Sequence, residues 1–166
     1  YVEPDVYSFT YGNFDANSMN KEYRFNGEII TVKFVEEPNM SGDVGLHDIY
    51  RAQIEKVLVG SNSGYKSNYR LHLVDGEDKI VIDPLSITVD IDGFVEQTIY
   101  NGNRYGLTKE EVRNKYSLTD MGIEKTYLNN EKPKNAGTYR VDVRATNPNF
   151  AIVGDSYKEF SIAKAD

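Results

Sequence analysis

Apolar and polar residues alternate along several short segments of this chain, which is the pattern of a β-strand with one buried face. In the segment from 85 to 91, the apolar residues Leu85, Ile87, Val89 and Ile91 alternate with polar ones. By the same rule, two further segments place apolar residues on the buried face of a strand. One contains Tyr139, Val141 and Val143, and the other contains Tyr50, Ala52 and Ile54. Strands buried on one face are typical of antiparallel sheets, so the sequence predicts a mainly all-β fold.

The strand pattern occurs twice in the same order. Each copy has an alternating strand, an aromatic segment that ends in Asn-Gly, a strand headed by Tyr, an aromatic step and a final apolar strand. Asn26-Gly27 matches Asn101-Gly102, and the strand headed by Tyr50 matches the strand headed by Tyr139. We therefore predict two copies of one β-module, at residues 1–83 and 84–166.

The predicted boundary between the modules is short. Asp83-Pro84 separates the last strand of the first copy from Leu85, the first strand residue of the second. Proline fixes its own φ angle and restricts the residue before it to extended conformations. We expect the two modules to keep a fairly fixed, end-to-end relation.

One segment favours a helix. Thr108 and Glu111 have the spacing of a capping box, and Val112 and Tyr116 then share one helical face. The segment from 108 to 116 lies where the second copy is longer than the first. We interpret it as a short helical insertion in a loop.

These patterns together predict two tandem Ig-like β-sandwich modules, the second with a short helical insertion. A β-grasp-like module stays open as an alternative for the second copy. The sandwich is preferred because alternating strands far outnumber the single helical segment.

Composition and charge exclude some classes of partner. The net charge is −7 and no basic stripe is present, so we expect no nucleic-acid partner. No apolar run is long enough for a membrane-spanning helix, and we expect no membrane insertion. The absence of Cys excludes disulfides and thiolate metal sites. A chain that starts at Tyr1 without Met is expected to be a piece of a longer protein.

The second copy also carries the motifs of a known family. Asn135-Ala136-Gly137-Thr138-Tyr139, then Asn149-Phe150, then Phe160-Ser161-Ile162-Ala163-Lys164-Ala165 resemble the closing half of bacterial Ig-like surface repeats called MBG and YDG domains. The segment from 98 to 102 is similar to their Tyr-(Asp/Asn)-Gly signature. The first copy departs from the family's pattern at His47-Asp48-Ile49-Tyr50 and at Phe25.

The resemblance implies a function and a location. Such repeats occur in tandem in Gram-positive adhesins and other large surface proteins, where the partners of a module are neighbouring repeats of the same chain. The resemblance therefore implies that this chain is an extracellular, cell-wall-anchored segment that holds an adhesive domain away from the cell. Tyr139 is expected to place its ring in the core while its hydroxyl reaches the backbone, much as in a tyrosine corner.

Catalytic and metal-binding candidates are sparse. His47 and His72 have no evident catalytic partner and are interpreted as exposed structural histidines. No phosphate-binding loop, nucleophile elbow or zinc-binding helix motif is present, so we expect neither an enzyme nor a cofactor. Asp90 and Asp92 precede Gly93 with a spacing that could serve Ca²⁺, although a plain turn is the favoured interpretation.

An internal cross-link between Lys and Asn or Asp is a further possibility for a module without Cys. It requires the two side chains on neighbouring strands beside a buried acid, and no Lys lies in an evidently apolar strand. A measured mass lower than calculated by one ammonia or one water would reveal it.

Three functions remain open at this point. The first, which we prefer, is a structural spacer of a bacterial surface adhesin. The second is a module that itself binds host glycan or protein, for which Tyr65 and Tyr105 are the candidate ligand-binding residues because aromatic rings offer stacking surfaces. The third is a non-catalytic accessory module of a secreted carbohydrate-active enzyme.

Overall fold

The computed structural model describes residues 1–89, 95–107, 111, 120–123 and 131–166. The chain divides into two compact units, Tyr1–Pro84 and Leu85–Asp166, called unit 1 and unit 2 below. In the described part of the chain the regular structure is almost entirely β-strand. The fold is therefore all-β in class. The predicted helix at 108–116 lies outside the described residues except for Glu111.

Unit 1 contains seven strands in two sheets. They are β1 (Tyr7–Thr10), β2 (Asn20–Phe25), β3 (Glu28–Glu36), β4 (Gly45–His47), β5 (Ile49–Val59), β6 (Asn62–Ser63) and β7 (Ile80–Asp83). One sheet has the order β1-β7-β4 and the other the order β2-β3-β5-β6. Two 3-10 turns, Ala16–Ser18 and Lys66–Asn68, complete the regular structure of this unit.

Unit 2 contains six described strands. They are β8 (Leu85–Ile87), β9 (Gln97–Ile99), β10 (Asp120–Ile123), β11 (Gly137–Arg144), β12 (Phe150–Ile152) and β13 (Tyr157–Ala163). Four of them form a sheet in the order β10-β11-β13-β9, and β12 pairs with β8 in a second, smaller sheet.

Each unit has its own apolar core. In unit 1 the fully buried side chains come mainly from β3 and β7, and they include Val32, Phe34, Ile80 and Ile82. Among the described residues of unit 2, the buried apolar side chains come mainly from β11 and β13, and they include Tyr139, Val141, Val143, Phe160 and Ile162, together with Val89 and Leu107. Strands β3 and β11 alternate buried and less buried residues along their length, as one-sided strands should.

The predicted role of Tyr139 is confirmed. Its ring stacks on Phe160 with the ring centroids 5.5 Å apart, and its hydroxyl donates a hydrogen bond of 2.7 Å to the carbonyl oxygen of Asn135. Gly137 lies against this ring, since a Cβ there would be in ordinary van der Waals contact with Oη of Tyr139, at 3.4 Å. The prediction that Val141 and Val143 point inward is also confirmed.

Asn26 and Gly27 form a two-residue turn that joins β2 and β3 into a hairpin. Asn26 and Gly27 have φ angles of 51° and 76°, which fit the type I′ turn that follows the twist of the two strands. The register pairs Phe25 with Glu28 at the closed end of the hairpin.

The prediction that Tyr50 points inward is wrong. Arg51 pairs with Val35 and Ile49 pairs with Glu36, so Tyr50 is an extra residue in β5 and forms a β-bulge. A second bulge lies at Glu55, and the inward positions of β5 become Ile49, Ala52, Ile54 and Val57. Each extra residue shifts the alternation of β5 by one position, and a strict two-residue period cannot predict such a shift.

The alternating segment at 85–91 is shorter than predicted. Strand β8 ends at Ile87, and Leu85 is exposed rather than buried. Val89 is buried as predicted, while Ile91 lies outside the described residues.

The two units differ in strand pairing where their sequence landmarks match. In unit 1 the first strand, β1, pairs with the last strand, β7. In unit 2 the first strand, β8, pairs with β12 instead, and the last strand, β13, pairs with β9 and β11. Among the described strands, the repeated order of sequence landmarks is therefore not matched by a repeated pairing pattern.

Gly76 is predicted to be intolerant of any side chain. Its carbonyl oxygen accepts a 2.7 Å hydrogen bond from the Ile49 amide, and a Cβ on Gly76 would overlap the Ile49 carbonyl oxygen. We expect Gly76→Ala to lower the free energy of unfolding of unit 1 by about 1–3 kcal/mol, since the backbone must shift. Exposed Glu77 gives the matched control, and Glu77→Ala should change that free energy by less than about 0.5 kcal/mol. Denaturant unfolding measures both, and equal effects would contradict the close approach.

Candidate functional site

The first and last strands of unit 1 lie side by side and run in the same direction. Tyr7 pairs with Ile80, and the register continues to Thr10 and Asp83. Two backbone hydrogen bonds of 2.8 Å extend the ladder, from the Tyr7 amide to Lys79 and from the Tyr11 amide to Asp83. The chain segments that enter and leave unit 1 are thus joined by a parallel ladder, which we call the terminal-strand pair.

The terminal-strand pair is anchored in the core of unit 1. Ile80 and Ile82 are fully buried, and Tyr7 and Phe9 pack against the same cluster. The Phe9 ring meets Phe14 edge to face at a centroid distance of 5.0 Å. Since its side chains are buried behind it, the ladder cannot open without exposing apolar surface to water.

The direction of the pairing decides how the ladder responds to a pull. A pull on the chain before β1 and after β7 acts in opposite directions along two parallel strands. The hydrogen bonds between them are then loaded together in shear rather than one after another. Alternation in the sequence cannot identify this parallel pairing, because it shows which face of a strand is buried but not which strand is its partner.

Unit 2 has a shorter parallel pair at its beginning. Phe150, Ala151 and Ile152 of β12 pair with Leu85, Ser86 and Ile87 of β8. Hydrogen bonds of 2.9 Å from the Leu85 amide to Asn149 and from the Val153 amide to Ile87 extend this ladder. The pair therefore spans three residue pairs, against four in unit 1.

The candidate ligand-binding residues Tyr65 and Tyr105 lie in different units and in different environments. Tyr65 is 75% exposed and precedes the 3-10 turn Lys66–Asn68. Tyr105 packs against the core of unit 2, where its ring meets Phe160 edge to face and its hydroxyl donates to the Val95 carbonyl oxygen. Burial raises the pKa of the Tyr105 hydroxyl, which stays neutral at physiological pH. The two side chains do not form a shared surface within either unit.

The two histidines differ from each other. His72 is exposed, as predicted, and its ring lies 5.3 Å from that of Tyr1. The prediction for His47 is wrong, since its side chain is only 12% exposed and both ring nitrogens have partners. Nε2 donates to the Asp43 carbonyl oxygen at 2.7 Å, and Nδ1 lies 3.3 Å from a Glu37 carboxylate oxygen. His47 therefore joins strand β4 to the loop that precedes it.

The remaining sequence candidates give no assembled site. Asp90 and Asp92, the calcium candidates, lie outside the described residues. Within the described ranges no group of three or more His, Asp or Glu side chains is placed to hold a metal ion. The same part of the chain contains no helix that is both long enough and apolar enough to cross a membrane.

Two Lys side chains lie close to the residue types that an internal cross-link would require. Nζ of Lys21 is 3.0 Å from a carboxylate oxygen of Asp5, and Nζ of Lys33 is 3.1 Å from the amide oxygen of Asn17. Both contacts are at the surface, without the burial that the reaction would require. The cross-link stays a prediction, with the mass measurement as its test.

Comparison with known proteins gives no relative. The chain matches no protein-family model, no curated protein and no solved structure. The resemblance to MBG and YDG repeats is therefore carried by the residues of the chain alone and stays a prediction.

Proposed function

We propose that this chain is a tension-bearing spacer segment of a bacterial cell-surface adhesin, built from two Ig-like β-modules and located outside the cell. The observation that carries the proposal is the terminal-strand pair of unit 1, in which β1 and β7 are parallel. A spacer between a surface anchor and an adhesive domain is pulled through its two chain ends. A pull on the two ends of unit 1 therefore acts directly on β1 and β7, the terminal-strand pair.

The separate cores support the same proposal. A segment in a stalk must remain folded regardless of its neighbours, and each unit of this chain has its own buried apolar cluster. The resemblance of the second copy to tandem surface repeats also favours a modular role. A β-grasp-like description of unit 2 stays the alternative for its fold.

A binding role remains the second candidate. It is favoured by a specific observation, which is a strongly exposed Tyr beside a cleft in unit 1. This role is compatible with a spacer.

Stretching of the whole chain from its two ends tests the spacer proposal. We expect two unfolding events, with unit 2 unfolding at the lower force because its first strand is held by fewer residue pairs. The events are assigned by inserting a short Gly/Ser stretch at the exposed Gly60 turn, which lengthens only the extension released by unit 1. Extension at low force without discrete events, or unit 1 opening before unit 2, would contradict the proposal.

A further inference from the structure

The β-bulge in β5 turns an aromatic side chain toward solvent. Tyr50 has no partner in the ladder with β3, and its side chain is 64% exposed although the strand on both sides of it is paired. Bulges occur next to binding sites because they redirect a side chain without ending the sheet. The bulge therefore places an aromatic ring on the protein surface in the middle of a paired strand.

A cleft lies beside this ring. Its volume is about 560 Å³, within the range of small-molecule sites. Tyr50 and Arg51 line it from β5, Val35 and Glu36 from β3, and the loop 37–42 forms the remaining wall together with Phe14. A second hollow of about 370 Å³ shares Glu37, Pro38 and Tyr50 with the first, so Tyr50 lies where the two hollows meet.

The loop wall of the cleft is held in place by hydrogen bonds. The Glu37 amide donates to the Asp48 carbonyl oxygen at 3.0 Å, and the Met40 amide donates to the Glu37 carbonyl oxygen at 3.3 Å. The half-buried His47 side chain contacts Glu37 and Asp43, near the two ends of this loop. A ligand would meet a wall that is already ordered, which lowers the entropy cost of binding.

The polar groups of the cleft suit an uncharged, hydroxyl-rich ligand. Glu36 and Glu37 can accept hydrogen bonds, Arg51 can donate them, and Asn39 can do both. Among the hydrogen bonds and ion pairs of the described residues, none involves the side chains of Glu36, Asn39 or Arg51, so these groups are available to a ligand. Because cationic and anionic groups occur together, neither a strongly acidic nor a strongly basic ligand is favoured.

We propose that this cleft binds a neutral oligosaccharide, with the Tyr50 ring stacked on the apolar face of one sugar. An amphipathic aromatic ring can pack against sugar C–H groups while the surrounding carboxylate, amide and guanidinium groups hydrogen-bond the hydroxyls. The proposal is independent of the tension-bearing role, since Tyr50 lies in the sheet that does not contain β1 and β7.

An array of neutral oligosaccharides probed with the whole chain identifies a binder, and titration calorimetry then gives its affinity. We expect Tyr50→Ala to weaken that binding at least about tenfold and Tyr50→Phe to retain it, because the ring and not the hydroxyl stacks. Tyr65→Ala is the matched control, being an exposed Tyr outside the cleft, and should bind like the unchanged chain. An unchanged amide spectrum for Tyr50→Ala excludes unfolding as the cause.

Three outcomes would overturn the proposal. The first is the absence of binding to every neutral oligosaccharide on the array. The second is loss of binding in Tyr65→Ala with retention in Tyr50→Ala. The third is tighter binding of a Lys-rich peptide than of any sugar at the same cleft, which would assign it to a basic protein partner.

Discussion

Replacing Tyr139 by Ala should lower the free energy of unfolding of unit 2 by about 3–5 kcal/mol, the usual cost of deleting a large buried aromatic ring. The ring is 9% exposed, and it stacks on Phe160, another buried side chain of the same core. A small domain has a total stability of only about 5–15 kcal/mol, so the loss is a large share of it. Denaturant unfolding of the whole chain, followed through the amide resonances of Val141 and Val143, measures the effect in unit 2.

Tyr139→Phe separates the ring from the hydroxyl. This variant keeps the stacked ring and loses only the hydrogen bond to the Asn135 carbonyl oxygen. Its expected cost is about 0.5–1.5 kcal/mol, the net contribution of a typical hydrogen bond. Equal effects of the Ala and Phe variants would contradict a core role for the ring.

Replacing Phe34 by Ala should destabilise unit 1 by a similar amount, about 3–5 kcal/mol. Phe34 is fully buried in the middle of β3, and its ring centroid lies 6.3 Å from that of Tyr7 in the terminal-strand pair. The change removes core packing from both sheets of the unit. The amide resonances of Val32 and Ile82 report the transition of unit 1.

The two core variants also test whether the units are separate. Phe34→Ala should move the unit 1 transition and leave that of Val141 and Val143 in place, and Tyr139→Ala should do the reverse. These are the results expected of two separate apolar clusters. If each variant shifted both transitions equally, the chain would have to unfold as one cooperative body.

Local patterns were sufficient to predict the features that depend on neighbouring residues. The all-β class follows from alternation, and the burial of Tyr139 follows from its place at the head of an alternating strand. Both are determined within a few residues by strand geometry.

Features that depend on a distant partner could not be predicted in this way. The bulge at Tyr50 exists because β5 must fit the register of β3, which the sequence of β5 does not encode by period alone. The burial of His47 depends on Glu37 and Asp43 folding back over β4. The parallel pairing of β1 with β7 joins residues at opposite ends of unit 1, where no local motif identifies the partner.

The residues of the candidate ligand site could not be predicted from local sequence patterns either. Aromatic character alone points to Tyr65 and Tyr105, whereas the structure places Tyr105 against a core and Tyr65 away from the cleft of unit 1. Tyr50 was missed because alternation assigned it to the core. The signal that could have found it is the uneven spacing of apolar residues along β5, which is typical of bulges.

Pulling unit 1 in two directions tests the tension-bearing role most directly. The chain contains no Cys, so attachment points can be introduced in pairs at exposed residues. Val6 lies just before β1 and Asp83 is the last residue of β7, so a pull between them loads the terminal-strand pair in shear. Val6 and Glu77 both lie at the other end of the pair, and a pull between them peels it open. We expect a clearly higher unfolding force for Val6→Cys with Asp83→Cys than for Val6→Cys with Glu77→Cys. Equal forces in the two directions would contradict the claim that the parallel pair carries the load.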